Sequence, residues 1–260
     1  MANETYLEKF ARAEMLVVER YGESAAIYAH DLVLLRYLME SGLEVKQVCD
    51  VGGSSGVWSA AAEMVYPDAQ YQIFDPLSDV ASYLDMREKL ARRSPMLNSE
   101  RCHFHKVALG NTIWQIAMTV YPEAVGSTTL SLTHKPQDTD LVDVPCHRLD
   151  DYYLQKSLSW PDVIKLDVQG GELEIILGAE QALEHVSAVI CECWLFQGYG
   201  PSTPLWLDVA NALAAHDLHL FDLGWIYRRP NDQRAATIDM LFLRRSLDFS
   251  PLRHFTPDVL

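Results

Sequence analysis

Between residues 162 and 174 the chain reads Asp162-Val163-Ile164-Lys165-Leu166-Asp167-Val168-Gln169-Gly170-Gly171-Glu172-Leu173-Glu174. Val163 to Val168 has the make-up of a buried strand, and charges seldom enter one without a purpose, because leaving water is costly for them. Strand periodicity sets Lys165 and Asp167 on one side, with Asp167 nearer the C-terminal rim. Glu172 falls in the first turn of the next helix. The helix dipole favours an acid there, and that preference accounts for it as well as a functional role does. Two further acids stand at strand ends upstream. One is Asp50, in Val48-Cys49-Asp50-Val51-Gly52-Gly53-Ser54-Ser55-Gly56, and the other is Asp75, in Ile73-Phe74-Asp75-Pro76.

The glycines after Asp50 permit a tight turn and clear side chains from the end of the strand, where open α/β sheets bind ligands. The spacing is neither G-x-G-x-x-G nor G-x-x-x-x-G-K-[ST], so a dinucleotide fingerprint and a P-loop are both missing. A carboxylate at the floor of the turn suits a cationic or hydroxyl-rich ligand better than a pyrophosphate. At the second strand end, an acid in the position of Asp75 accepts hydrogen bonds from the ribose hydroxyls of an adenosine cofactor in folds of this kind. Pro76 then stops the strand. A helix cap is the plainer use of Asp75, but two acids at successive strand ends with glycines between them favour the ligand.

These residues need a scaffold that brings strand ends together. The alternation of apolar bursts and helix-like stretches indicates an α/β fold with a mainly parallel sheet. Strands are expected at Gln47 to Val51, Gln70 to Phe74, His103 to Leu109, Val163 to Val168 and Ala188 to Leu195. Helices are expected near Val57 to Val65, Val80 to Arg93, Glu172 to Leu183 and Leu205 to Ala215. Residues 113 to 147 are less regular, with strand-like Ile113 to Tyr121 and Asp143 to Cys146 around a polar loop. His219 to Ile226 and Ile238 to Leu243 form a C-terminal hairpin at one sheet edge. The first ~40 residues are helical with a break at Gly22. Residues 1–44 therefore divide off as a helical cap or lid, or as a contact between copies in a homo-oligomer, and residues 45–260 form the α/β domain.

The chain of 260 residues carries 36 acids against 21 bases, a formal net charge of −15. That balance argues against nucleic acid and against an anionic membrane surface as partners, since both demand a basic face. The densest basic cluster of the N-terminal half, Lys89, Arg92 and Arg93, reads as a helix end. No basic region followed by an apolar stretch opens the chain, and no run approaches the ~18 apolar residues of a membrane span. The five cysteines (Cys49, Cys102, Cys146, Cys191 and Cys193) form no C-x-x-C pair and read as buried thiols of a cytoplasmic protein.

The stretch Ile164 to Glu174 resembles the signature of the FkbM family of S-adenosylmethionine-dependent methyltransferases. So do the turn Asp50 to Gly56, Phe74-Asp75-Pro76, Ala108-Leu109-Gly110, Arg148-Leu149-Asp150, and Glu192 after the fifth strand. The match in order and spacing covers roughly residues 47 to 195, with Ile238 to Leu243 similar to the family's closing strand. The resemblance implies a Rossmann-like class I methyltransferase fold, a mainly parallel seven-stranded sheet with an antiparallel C-terminal hairpin. It also implies S-adenosylmethionine as cofactor and transfer to a hydroxyl, often on a sugar or natural-product scaffold. Carried over by position, Asp50, Gly52, Gly53, Ser54 and Gly56 wrap the amino-acid end of the cofactor, and Asp75 holds its ribose. Ala108 and Leu109 lie near the adenine, and Asp167 borders the transfer site. Three positions depart from the family pattern: Gln169 replaces an acid, Gly171 an alanine, and Asp75 a glutamate.

Methyl transfer from a sulfonium is an in-line displacement, and a hydroxyl acceptor must lose its proton to a base within hydrogen-bond reach. Asp167 is the first candidate, as base or as the group that orients the acceptor, and His134 in the loop Ser131 to Lys135 is the second. Glu192 could complete the rim, or join Asp167 in holding a divalent metal, although metal dependence is not favoured. Lys165, Glu192 and Trp194 are the candidate acceptor contacts, with Trp194 opening the aromatic stretch Trp194 to Pro201. His103 and His105 read as core or edge residues. Other readings remain open: transfer to nitrogen, a protein that binds the cofactor as a partner subunit without catalysis, and a nicotinamide dehydrogenase, which the turn spacing disfavours.

Overall fold

A computed structural model describes residues 5–130, 132 and 138–247. The chain begins with α1 (Tyr6–Tyr21), a 3₁₀ turn (Glu23–Tyr28) and α2 (Ala29–Glu40), then β1 (Gln47–Val51), α3 (Val57–Glu63), β2 (Gln70–Phe74), α4 (Ala81–Ala91) and β3 (Cys102–His105). β4 (Ala108–Leu109), β5 (Trp114–Val120) and β6 (Asp140–His147) follow, and α5 (Leu149–Lys156) leads into β7 (Val163–Leu166). Next come α6 (Glu172–Leu177), α7 (Glu180–His185), β8 (Ala188–Trp194), α8 (Trp206–Ala214), β9 (Leu218–Arg228) and β10 (Ala235–Arg244). A helix start is visible at Thr5. Its hydroxyl accepts the Glu8 N–H while the Glu8 carboxylate accepts the Thr5 N–H, a reciprocal capping box.

Seven strands form the main sheet in the order β3-β2-β1-β7-β8-β10-β9, parallel except for β10, which runs antiparallel to both its neighbours. The mainly parallel sheet with a C-terminal hairpin is therefore present, and the ends of β1 and β2 fall where the apolar bursts put them. β1 and β7 lie side by side with Asp50 opposite Lys165, and β10 sets Asp239 opposite Glu192.

Because side chains alternate across a strand, the sheet has two distinct faces. Cys49 and Val51, Ile164 and Leu166, and Val189 and Cys191 pack under α5 to α8. Val48, Val163, Ile190, Leu241 and Leu243 pack instead with Val17 of α1 and with Leu32, Leu35 and Leu38 of α2. The N-terminal helices thus share one apolar cluster with the centre of the sheet. The same alternation puts Asp50, Lys165, Glu192 and Asp239 on the face toward α2.

Two expectations need correction. The strand His103 to Leu109 is two strands in different sheets. After His105 a tight turn, Val107 N–H to His105 carbonyl at 2.9 Å, redirects the chain, and Ala108–Leu109 pair with Cys146 and His147. The strand-like stretches expected around 113–121 and 143–146 are present as β5 and β6, antiparallel in that second sheet, ordered β4-β6-β5. The helix Glu172 to Leu183 is broken into α6 and α7 at Gly178, which presses against backbone: a Cβ there would stand 2.0 Å from the Gly110 carbonyl oxygen. Helix α5 was not anticipated. It buries Leu149, Tyr152 and Tyr153, and both oxygens of its Asp150 cap α7 through the N–H groups of Gln181 and Ala182, each at 2.9 Å. All five cysteines are free and buried. Among the described residues no helix is long and apolar enough to cross a membrane.

Candidate functional site

The turn after β1 folds across the end of β2, with the Gly52 N–H donating to the Phe74 carbonyl at 2.8 Å. Gly52 has φ +82°, and a Cβ on it would stand 1.9 Å from the Asp167 carbonyl oxygen, so only glycine lets the turn and the β7 rim close together. Asp75 ties the arrangement down. Its Oδ2 accepts the Ser54 N–H at 3.0 Å and its Oδ1 the Leu77 N–H at 2.7 Å. Each oxygen keeps acceptor capacity beyond these bonds, and Asp75 lines the cavity, as a ligand with paired hydroxyls requires. Burial pushes its carboxyl up to about 6, against the two N–H donors and Arg87. Asp50 lies below the turn and accepts the Ser59 hydroxyl at 2.6 Å, and burial raises it to about 7.

The cavity has a volume of about 500 Å³, the size of a small-molecule site. Of the residues expected around a ligand, Gly52, Ser54, Asp75, Ala108, Leu109, Asp167 and Glu192 line it. Asp50, Gly53, Gly56, Lys165 and Trp194 do not line it, and His134 lies outside the described residues. Ile27 and Tyr28 from the N-terminal segment, Tyr83 and Met86 from α4, and Met118 from β5 also line the cavity. No lysine, arginine or histidine is among the described lining residues, whereas four carboxylates are: Asp75, Glu123, Asp167 and Glu192. A ligand bearing positive charge fits this donor set. S-adenosylmethionine carries a sulfonium, an ammonium and a ribose diol against a single carboxylate, a net positive charge, so the acids present suit it.

Lys165 is 1% exposed. Its ammonium lies 2.6 Å from Asp239 Oδ1, 3.5 Å from Asp31 Oδ2 and 3.9 Å from Asp167 Oδ2. Burial alone would lower its pKa, but Asp239, Asp31 and Asp167 hold it well above the ordinary lysine value. Asp31 comes from α2, accepts the Trp58 indole N–H at 2.8 Å, and is raised by burial to about 7 against the pull of Lys165. Asp31 and Asp239 went unnoticed in the sequence. Their signal was an acid inside an apolar run, Asp31 before Leu32 to Leu35 and Asp239 between Ile238 and Met240.

Glu172 turns back on the rim. Its Oε1 accepts the N–H groups of Val168 and Gly170 at 3.0 and 3.1 Å, and burial pushes it up to about 7. The dipole preference at a helix start is thus joined by a specific duty, bracing the loop that follows Asp167. Glu172→Ala leaves two enclosed N–H groups without an acceptor and should cost about 2–4 kcal/mol. Glu172→Gln, which keeps the accepting oxygen, should cost less than about 1 kcal/mol. Denaturant midpoints of the two variants check the difference.

Between Asp167 and Glu192 stands Gln169, whose amide nitrogen donates to Asp167 Oδ1 at 3.3 Å and to Glu192 Oε2 at 3.0 Å. The point between the two carboxylates is therefore served by a donor, whereas a metal pair there would need acceptors only. Among the described residues no group of three or more His, Cys, Asp or Glu could hold a metal ion. Trp194 packs edge-on against Tyr199 and Phe196, with ring centroids 4.9 and 5.9 Å away. His105 bonds Gln72 and Tyr152 at 2.8 and 3.1 Å, and burial lowers it to about 4, in keeping with a packing residue.

Compared with known proteins, residues 50–220 match the family described as the methyltransferase FkbM domain. Methyltransferase 1 of Beauveria bassiana (strain ARSEF 2860) is 23% identical over 166 residues, covering 56% of this chain and 64% of that protein. Methyltransferase sdnD of Sordaria araneosa is 24% identical over 189 residues, covering 62% and 71%. Among solved structures, a methyltransferase FkbM from Methylobacillus flagellatus KT aligns with TM-score 0.47 and 16% identity, over 90% of this chain and 59% of that one. Magnesium protoporphyrin IX methyltransferase from Synechocystis PCC 6803, crystallised with bound SAM, aligns with TM-score 0.47 and 12% identity, over 93% and 92%. The family match spans more than half of the chain and takes in every strand end of the cavity from β1 to β8, and on that ground the chain belongs to the FkbM methyltransferase family.

Proposed function

We propose that this chain transfers the methyl group of S-adenosylmethionine to a hydroxyl of a small molecule, a sugar or a natural-product scaffold. The observation that carries the reading is the joint opening of Asp75 and Asp167 into one cavity whose described lining holds acids and no cation. When bound, the cofactor supplies an activated methyl group on a positively charged sulfur. Asp75 offers acceptors for a diol, and the Gly52–Ser54 backbone allows close approach. Asp167 takes the proton of the acceptor hydroxyl, or orients that hydroxyl for the in-line attack, while Glu192 flanks it. Ile27, Tyr28, Met86 and Met118 give the acceptor an apolar wall and keep water from the reacting atoms.

The test is calorimetric titration of cofactor-free protein with S-adenosylhomocysteine, with NAD(H) as control, followed by a methylation screen over a panel of glycosides. Saturable binding of the thioether alone, and methylation of a glycoside oxygen, are the expected results. Binding of NAD(H) alone would sink the reading. Asp75→Ala removes a charged acceptor worth about 1.5–3 kcal/mol and should weaken S-adenosylhomocysteine about 10- to 150-fold in the same titration.

A further inference from the structure

Gln169 stands where the family resemblance leads one to expect an acid, and it joins four segments of the fold. Its backbone is left-handed, φ +59°, and its carbonyl accepts the Thr128 hydroxyl at 2.7 Å. Its side-chain NH₂ faces Asp167 and Glu192, and its Oε1 accepts the Tyr199 hydroxyl at 2.7 Å. The partners dictate the orientation of the amide, because the reverse one would set its oxygen against two carboxylates. The other oxygen of Glu192 accepts the Thr237 hydroxyl at 2.9 Å.

The surroundings of the Asp167–Glu192 pair are short of positive charge. Among the described residues the cation near it is Lys165 on β7, whose shortest contact is with Asp239 on β10. Asp50 on β1, Asp31 on α2 and Glu172 on α6 add negative charge around the pair. The phenols of Tyr28, Tyr83 on α4 and Tyr199 also border it. Burial and Asp239 push Asp167 above the usual carboxylate range, and burial with Asp167, Glu172 and Asp239 pushes Glu192 well above it. A carboxylate at 169 would add one more negative charge and no donor. A carboxamide supplies two N–H bonds to the pair without any charge, and such bonds favour the ionised form of the acceptor.

We propose that Gln169 is a positioning residue, whose carboxamide links Asp167 to Glu192 and keeps Asp167 an ionised proton acceptor facing the cavity. This rests on the reading of Asp167 given under Proposed function. Through Tyr199 and Thr128 the same residue also ties the aromatic loop after β8 to the loop after β5.

The test is a ¹³C NMR titration of protein labelled at its Asp and Glu carboxyl carbons, for the wild type, Gln169→Met and Gln169→Glu. The Asp167 signal is assigned by its loss in Asp167→Asn. In Gln169→Met the Asp167 carboxyl should titrate about one pH unit higher, a tenfold rise in proton affinity, and in Gln169→Glu at least as far. Bracing of the loop alone would change the melting temperature and leave the titration where it was. An Asp167 signal that titrates at the same pH in the wild type and Gln169→Met overturns the proposal. Gln169→Glu conserves shape and volume, and it supplies the same reading if the methionine variant does not fold. A shift between wild type and Gln169→Met in a protein that binds no S-adenosylhomocysteine would overturn the proposed function and leave this inference standing.

Discussion

Lys165→Met should destabilise the protein by about 3–5 kcal/mol, because removing one partner of a buried ion cluster leaves the other charges uncompensated. At roughly 2–4 °C per kcal/mol for a domain of this size, the melting temperature should fall by about 6–20 °C. Three carboxylates face the ammonium within 4.0 Å, and Asp31 Oδ1 is already buried without a hydrogen-bond partner. The loss should depend on pH, with a sign that can be worked out. Asp31 has its folded pKa raised to about 7, so the folded state holds its proton more tightly than the unfolded chain does. An acid raised in this way burdens the fold as pH climbs from its ordinary value of about 4 through about 7. Without Lys165 that burden grows. The deficit should therefore be largest at pH 8 and shrink toward pH 5, where a protonated Asp31 needs no counter-ion. Thermal melts of both proteins at the two pH values measure this. A deficit independent of pH would trace the loss to packing of the lysine stem.

Asp167→Asn should reduce turnover by about 10²–10⁴-fold, the range typical of a lost general base. Affinity for S-adenosylhomocysteine should change by less than about threefold, because Asp75 and the glycine turn remain in place. Amide and carboxylate have the same shape, and the Gly52 contact is to the Asp167 backbone oxygen, which the substitution keeps. The wild-type rate should fall on the acid side, with a midpoint above the ordinary carboxylate range, since burial raises the Asp167 carboxyl and protonation removes the acceptor. In Asp167→Asn that acid limb should disappear. Kinetics with an acceptor from the glycoside screen, paired with calorimetry, separate the two effects. Equal losses of binding in Asp75→Ala and Asp167→Asn would break the division of roles between the two acids.

Lys165 and Asp167 show how different kinds of information locate residues in this fold. Their side of the strand follows from the two-residue period alone, and the structure keeps both on the face toward α2, with the ammonium 3.9 Å from the Asp167 carboxylate. The acids at the ends of β1 and β2 are equally local, because an apolar run, an acid and a glycine or proline stop are written in neighbouring residues. What the lysine touches is not local. Asp31 and Asp239 lie 134 and 74 residues away in sequence, and they meet it because the sheet sets β10 two strands from β7 while α2 covers the same face.

The positions misread in the sequence share one cause. At His105 the apolar pattern runs on through Leu109, yet the chain leaves the main sheet, because β4 finds its partner in β6. At Gly178 the helical period continues, yet close approach to the Gly110 backbone breaks the helix. Gln169 stands out in the sequence only as an amide in place of an acid. Its duty exists because β7, β8, the aromatic loop and the loop after β5 converge on it. The sequence by itself determined the fold class, the strand-end acids and the glycine turn, since periodicity and turn chemistry act between neighbours. The tertiary structure alone decided which charges compensate one another and which donor sits between the two rim carboxylates. Those pairings depend on strand order and burial, and no short stretch of the chain encodes either.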